Sequence, residues 1–175
     1  MTTEAEYVEK RKQVLGPMLE LSDAELKQSV SDGYSRLHAI LDLFQPEQAI
    51  WKPNKEEWSA AQVGDHVVLG TGVLGNIISL LARGQTVADE DWDPPPQFRG
   101  DASDVKDVSK RLTELPAQAN LIFDEAARTD RLDVTANNSF FGDLNWREWY
   151  CYLGVHAQAH TEQIEKLRSM EGFPG

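Results

Sequence analysis

Four long stretches of this chain repeat apolar side chains at three- and four-residue steps, the spacing that is typical of amphipathic helices. Three of these stretches begin with a Ser or Asn that is followed three residues later by Glu or Gln, the pattern of a capping box. The three cap pairs are Ser22 with Glu25, Ser59 with Gln62, and Asn145 with Glu148. Since such pairs mark where a helix begins, the sequence predicts helices from Ser22 to before Pro46 and over about 60–83, 103–128 and 146–170.

The remaining segments contain weaker signals. Residues 4–15 are predicted to form a short additional helix, which the Gly-Pro pair after it ends. Pro116 lies inside the third long helix and predicts a kink there rather than a stop. The connection 85–102 is too polar and proline-rich for a central strand. Segment 131–144 has room for a brief extended piece, but its pattern does not indicate a sheet.

Length, charge and composition limit the class of protein. The 175 residues suffice for one domain, 1–175, and four helices of this length predict an all-α four-helix bundle. The connection 85–102 is long enough for a crossover between the second and third helices, and the connection 129–145 is similar in length. A single cysteine, no secretion-type opening and no run of about 18 apolar residues lead us to expect a cytoplasmic protein without a membrane span. The net charge of -12 disfavours nucleic acid, so we expect a small-molecule or protein partner.

Three of the four histidines lie on apolar helix faces. His156 and His160 are four residues apart in the fourth helix, and His66 is on the apolar side of the second. With antiparallel helices and level ends, the helix rise brings His66 within about 6 Å of the level of His160. Imidazole is a natural ligand for zinc, nickel, copper or ferrous iron. The pattern therefore favours a shared metal, with packed and hydrogen-bonded core histidines as the alternative.

Other polar residues near these histidines leave alternatives open. Asp65, Glu162 and Gln163 either orient the metal ligands or are solvated or helix-pairing side chains. His38 lies beside the apolar stripe of the first helix, either as a fourth ligand or substrate contact or as a residue at the core boundary. Cys151 has no cationic neighbour in sequence, so we interpret it as a small buried apolar residue.

Two motifs resemble those of the DinB/YfiT superfamily of metal-dependent bundle proteins. They are EWSAAQVGDH, which ends in His66, and FFGDLNWREWYCYLGVHAQAHTEQIEKL, which contains His156 and His160. Where many members have a His-Pro pair before the FG turn, this chain reads NNSFFG. The resemblance implies an up-down-down-up four-helix bundle, a divalent metal held by those three histidines, and often a homodimer.

The resemblance also implies a range of functions. Three histidine ligands leave a coordination position open, as in catalytic zinc sites; we expect zinc or nickel, with iron or manganese as other candidates. The implied activity is thiol S-transfer with a low-molecular-weight thiol, or hydrolysis. Ala157 and Gln158 stand where a zincin carries its glutamate, which argues against a metalloprotease. The alternative is a non-catalytic bundle that a metal staples for stability, sensing or stress response.

Overall fold

The structure is a computed structural model that describes residues 3–87 and 104–175. Within those ranges the chain is mostly helical, with one two-stranded hairpin. In chain order the elements are α1 Glu4–Val14, α2 Gly16–Leu19, α3 Asp23–Leu41, α4 Pro46–Ile50, α5 Ala60–Ala82, α6 Val105–Ala126, β1 Thr135–Asn138, β2 Gly142–Asn145 and α7 Trp146–Leu167. The all-α prediction is therefore confirmed at the level of fold class.

The three capped helix starts are formed as the sequence predicts. In each, the cap side chain accepts a bond from the backbone of the third helical residue, whose own side chain accepts one from the cap backbone. The return bonds are Ser22 N to Glu25 Oε2 at 2.9 Å, Ser59 N to Gln62 Oε1 at 3.1 Å, and Asn145 N to Glu148 Oε2 at 2.9 Å. Each box satisfies backbone donors that a helix start leaves without a partner.

The core lies between α3, α5, α6 and α7. Both α3 and α5 pack against α6 and against α7, so the four helices enclose one hydrophobic centre. Tyr34 of α3 is fully buried there, and its hydroxyl is 2.9 Å from the hydroxyl of Thr71 in α5. Among the described helices, α5 is long and apolar enough to cross a membrane, as core helices of soluble proteins also are. Its place in the bundle is consistent with a soluble protein.

Several boundaries differ from the predicted ones. α3 ends at Leu41, and a short separate helix, α4, begins at Pro46, a residue that favours the first position of a helix. α6 continues through Pro116, as predicted. α7 ends at Leu167, a few residues earlier than expected. Most of the connection 85–102, in which a crossover is possible, lies outside the described residues, since these omit 88–103.

The brief extended piece that the sequence allows in 131–144 is present, but it is paired as a two-stranded sheet, which the sequence pattern does not indicate. β1 and β2 form an antiparallel hairpin in which Thr135 pairs with Asn145 and Asn138 with Gly142. Gly142 has a φ of 71°, a conformation that closes short hairpin loops and that glycine adopts without strain. The hairpin leads directly into α7 and so lies beside its first turns.

Candidate metal centre

The three predicted histidines meet between α5 and α7. Nε2 of His156 lies 3.2 Å from Nε2 of His66 and 3.1 Å from Nε2 of His160. All three ligand atoms are within 4.8 Å of one another. The step of four residues in α7 places two imidazoles on one face, and the facing turn of α5 supplies the third.

The separations of these nitrogens fit a common metal ion. With metal–nitrogen bonds of about 2.0–2.1 Å, tetrahedral ligands are about 3.3 Å apart and adjacent octahedral ligands about 2.9 Å apart. The observed 3.2 and 3.1 Å lie between these values. Three neutral nitrogen donors suit the borderline and intermediate ions, zinc and nickel among them. The donor set therefore fits a divalent transition metal.

Gln163 orients one of the three imidazoles. Its Oε1 lies 2.8 Å from Nδ1 of His160. A carbonyl oxygen only accepts, so Nδ1 of His160 donates, and in the neutral ring the lone pair is left on Nε2. That is the nitrogen which faces His156. The contact thus does what the outer hydrogen bond of a metal-binding histidine does, since it fixes both tautomer and ring orientation.

The other two candidate neighbours, Asp65 and Glu162, make their contacts elsewhere. Asp65 is buried, and its carboxylate accepts a bond of 2.5 Å from Arg111 of α6. Glu162 is exposed and accepts a bond of 2.8 Å from Gln158 on the outer face of α7. Of the three polar residues that the sequence suggested as neighbours of the histidines, Gln163 makes a hydrogen bond to one of the imidazoles, and Asp65 and Glu162 bond other side chains.

Burial keeps the imidazoles of α7 neutral. The pKa of His156 lies well below its usual value, chiefly because burial disfavours the charged ring and also because His160 and His66 are close. Burial is also the main reason why the pKa of His160 falls to about 4; His66 lowers it further and the bond to Gln163 opposes the shift. Both rings therefore offer lone pairs at neutral pH. Metal binding needs neutral imidazole, so this environment favours it.

The histidines form part of the wall of a cavity of about 570 Å³. Its described lining is mainly apolar and comes from α5, the hairpin loop and α7, with Lys10 contributed by α1. Tyr152, one turn before His156 in α7, has its ring centroid 5.8 Å from that imidazole. Trp58 packs edge-on against His66 at 4.9 Å. A cluster of three imidazoles that could hold a metal ion thus faces a space of the size that small-molecule sites have.

His38 and Cys151 lie apart from the histidine cluster. Nε2 of His38 is 2.9 Å from the hydroxyl of Ser109, which donates to Asp42 at 2.8 Å. Although these residue types form hydrolase triads, the Ser109 hydroxyl here donates to the carboxylate and not to the histidine. The contact therefore ties α3 to α6. Cys151 is fully buried, and burial raises the pKa of its thiol to about 12.

Several residues around the centre were not identified from the sequence. Gly70 lies against His156: a Cβ there would be 3.3 Å from Cε1 of the ring. Lys10 and Phe140 come from the N-terminal helix and the hairpin loop, far from the histidines along the chain. Tyr152 is the one with an available signal, since it lies four residues before His156 on the same helix face.

The fold and the centre define a helical protein with a three-histidine cluster able to hold a divalent metal. The comparison with known protein families identifies the family: the family model of the DinB superfamily matches residues 30–164. The chain belongs to the DinB superfamily. The matched segment contains all three histidines and the four long helices apart from the first turns of α3 and the last turn of α7. Neither the curated proteins nor the solved structures contain a match to the chain.

Proposed function

We propose that this protein is a metal-dependent enzyme in which His66, His156 and His160 hold a divalent metal, with zinc or nickel as the first choices. The convergence of the three Nε2 atoms on the wall of the cavity carries the proposal. Among the described residues, these three histidines form a group whose ligand atoms are close enough to hold one metal ion. Three protein ligands leave a position that a substrate can occupy, as in catalytic zinc sites.

We also propose the up-down-down-up order for the four long helices. Three ion pairs join helix ends and support it: Asp23 with Arg147 at 2.7 Å, Asp65 with Arg111 at 2.5 Å, and Lys27 with Asp124 at 2.7 Å. The first two join the early turns of α3 and α7 and of α5 and α6, as expected for parallel neighbours. The third joins the first turns of α3 to the last turns of α6, as expected for antiparallel ones.

Of the two implied reactions, thiol S-transfer has more support than hydrolysis. A bound divalent metal would lower the pKa of a thiol or of water and so supply the nucleophile. Among the described residues that line the cavity there is no Asp or Glu to act as a base for water. The thiol would come from a small co-substrate, because Cys151 is fully buried and its pKa is raised. The apolar walls would exclude water from the reacting groups.

The chain's own residues have separate roles in this proposal. Gln163 keeps the lone pair of His160 on Nε2, and Trp58 packs against the ring of His66. The cavity receives the electrophile beside the metal ligands. In a transfer to an aryl chloride, a C–S bond forms, chloride leaves with the bonding pair, and the thiol proton passes to solvent.

A metal that only staples α5 to α7 is the competing function. A closed structural site usually has four protein ligands. His38, the remaining histidine, bonds Ser109 instead of joining the cluster. Together with the cavity beside the three imidazoles, this favours a catalytic centre over a staple.

The test begins with elemental analysis of the purified, untagged protein after incubation with zinc and with nickel. We expect about one equivalent of metal for wild type and for the matched control His38→Ala, and a loss in His66→Ala, His156→Ala and His160→Ala. Less than about a tenth of an equivalent in wild type would refute a metal site.

The second step separates the two functions. The metal-loaded protein is assayed with small thiols and 1-chloro-2,4-dinitrobenzene, and its thermal melting is measured with and without a chelator. Turnover that needs the three histidines and survives His38→Ala supports the enzyme. A large fall in melting temperature on chelation without turnover of any thiol or ester substrate would instead support the staple.

A further inference from the structure

The charges around the cavity differ from those of the chain as a whole. The protein has 29 acidic and 17 basic residues. The described lining of the cavity, in contrast, contains Lys10 and no carboxylate. Because salt screens surface charges beyond about 8 Å at physiological ionic strength, a cation on the described lining acts on a bound ligand more strongly than distant surface charges do.

Lys10 is held at this place by aromatic rings. Its Nζ lies 5.2 Å from the ring centroid of Phe140 and 5.3 Å from that of Phe141, within the range of cation–π contacts. The helix that carries it is fixed to the hairpin: Tyr7 donates to the Ser139 carbonyl at 3.4 Å, and Arg11 donates to the Asp143 carbonyl. Lys10 is an exposed residue, and its ammonium group lies over these two rings at the edge of the cavity.

Two of the three acidic side chains on α1 are engaged with other partners. Glu6 accepts from the Thr3 backbone at 2.6 Å in the capping box of α1. Glu9 accepts from Gln13 at 2.6 Å, one turn along the same helix. Within the described residues, Lys10 forms no ion pair. Its charge is thus available to a ligand.

Aromatic side chains connect Lys10 to the histidines. From Phe141 the ring of Tyr152 is 5.9 Å away, and from Tyr152 the ring of His156 is 5.8 Å away. An apolar surface therefore runs from the cation to the metal ligands. A ligand that is complementary to this surface would have an apolar body and an anionic group at one end.

We infer that the cavity binds a small apolar molecule carrying one anionic group, with the anion at Lys10 and the apolar body along Phe141 and Tyr152 toward the three histidines. The inference rests on the proposed function in that it names the class of co-substrate for the same centre. Binding itself needs the cavity and Lys10, whether or not a metal is present.

The test compares two probes of nearly equal shape, 2-naphthylacetate and its neutral amide, 2-naphthylacetamide, by isothermal titration calorimetry. We expect the carboxylate to bind about twofold to fivefold more tightly, the range for an exposed charge pair. Lys10→Met keeps the length of the side chain and should abolish the preference. Lys12→Met, two residues along the same exposed helix but outside the cavity lining, should retain it.

A second pair of variants tests the location. Ala159 lines the cavity from the exposed side of α7, so Ala159→Phe should weaken binding of both probes at least tenfold. Gln158→Phe, at the neighbouring exposed position outside the lining, should leave binding within twofold. Circular dichroism checks that all variants are folded.

Titrations with zinc-loaded and with chelator-treated protein separate this inference from the metal site. If no metal binds but the Lys10-dependent preference persists in both samples, the proposed function fails and the ligand class stands. A preference seen with zinc alone that survives in Lys10→Met would assign the carboxylate to the metal and overturn the inference. Equal affinity for the two probes, or no binding at millimolar concentration, would also overturn it.

Discussion

Gly70 provides a sharp test of how closely α5 constrains the metal ligands. A methyl group at this position would lie 3.3 Å from Cε1 and 4.0 Å from Nε2 of His156. Gly72, two residues further along the same helix, has nothing within 4 Å of the equivalent position. The substitutions Gly70→Ala and Gly72→Ala therefore change the helix in the same way and differ in their contact with the imidazole.

The magnitudes follow from two opposing effects. Glycine in a helix interior costs about 0.5–1 kcal/mol relative to alanine, so Gly72→Ala should raise the free energy of unfolding by about that amount. In Gly70→Ala the ring of His156 must move by a few tenths of an ångström. Overpacking usually costs about 1–3 kcal/mol, and for so small a displacement we expect the low end, about 1 kcal/mol. Metal–ligand distances tolerate shifts of only about 0.2 Å, so the metal-bound form carries this cost. Metal affinity should fall about fivefold.

The assay is a competition for zinc against a chromogenic chelator, together with urea unfolding of the chelator-treated proteins. We expect Gly72→Ala to bind zinc as wild type does and to unfold at higher urea. Gly70→Ala should show the fivefold loss of affinity. If the two variants bind zinc equally, the close approach of α5 does not constrain His156, and the argument from geometry to affinity is refuted.

Three further predictions concern the surroundings of the centre. Gln163→Ala should lower zinc affinity about tenfold to a hundredfold, because the ring of His160 loses the acceptor that orients it. The control Gln158→Ala, at an exposed position, should leave zinc affinity unchanged. Equal affinities of the two variants in the chelator competition would contradict this prediction. Asp65→Asn should lower the free energy of unfolding in urea by about 1–3 kcal/mol, since the part-exposed Arg111 loses its buried charge partner. An unchanged urea midpoint would show that this ion pair does not stabilise the fold. Cys151 should resist a thiol reagent at pH 8 until urea unfolds the chain. Because burial raises the pKa of this thiol to about 12 from its ordinary 9.0, the unfolded chain loses the proton first, and stability falls as the pH rises from about 9 toward 12. Cys151→Ala should therefore show a shallower alkaline loss of stability.

The helices could be predicted because their signals are local. A capping box needs residues three apart, and an amphipathic stripe needs about two turns, so both are complete within one segment. The hairpin was missed because its strands, TANN and GDLN, are four residues long and rich in residues that strands disfavour. Its formation depends on the turn at Gly142 and on contacts with α1 and α7, which are tertiary.

The candidate centre divides in the same way. The sequence could place the three histidines together, because the helix rise fixes their level along the bundle and the helix periodicity fixes the face on which each one lies. These are His66, His156 and His160. The end of α3 could not be placed with equal accuracy, since frayed helix ends vary by one or two residues. Lys10 and Gly70 could not be assigned to the cavity, and Phe140 appeared only as part of a longer motif, because a cavity wall is assembled from several elements and has no period.

The N-terminal helix has a consequence for how this protein can change. None of the residues of α1 is buried, and it is attached to the hairpin mainly through Tyr7 and Arg11. Exposed substitutions usually alter stability by less than about 0.5 kcal/mol, whereas changes in the bundle core alter it by several times that amount. The three histidines are carried by core helices, and Lys10 is carried by the outer one. Under the proposed function, substitutions in α1 would change which ligands the cavity accepts while the histidine cluster in the bundle stays the same.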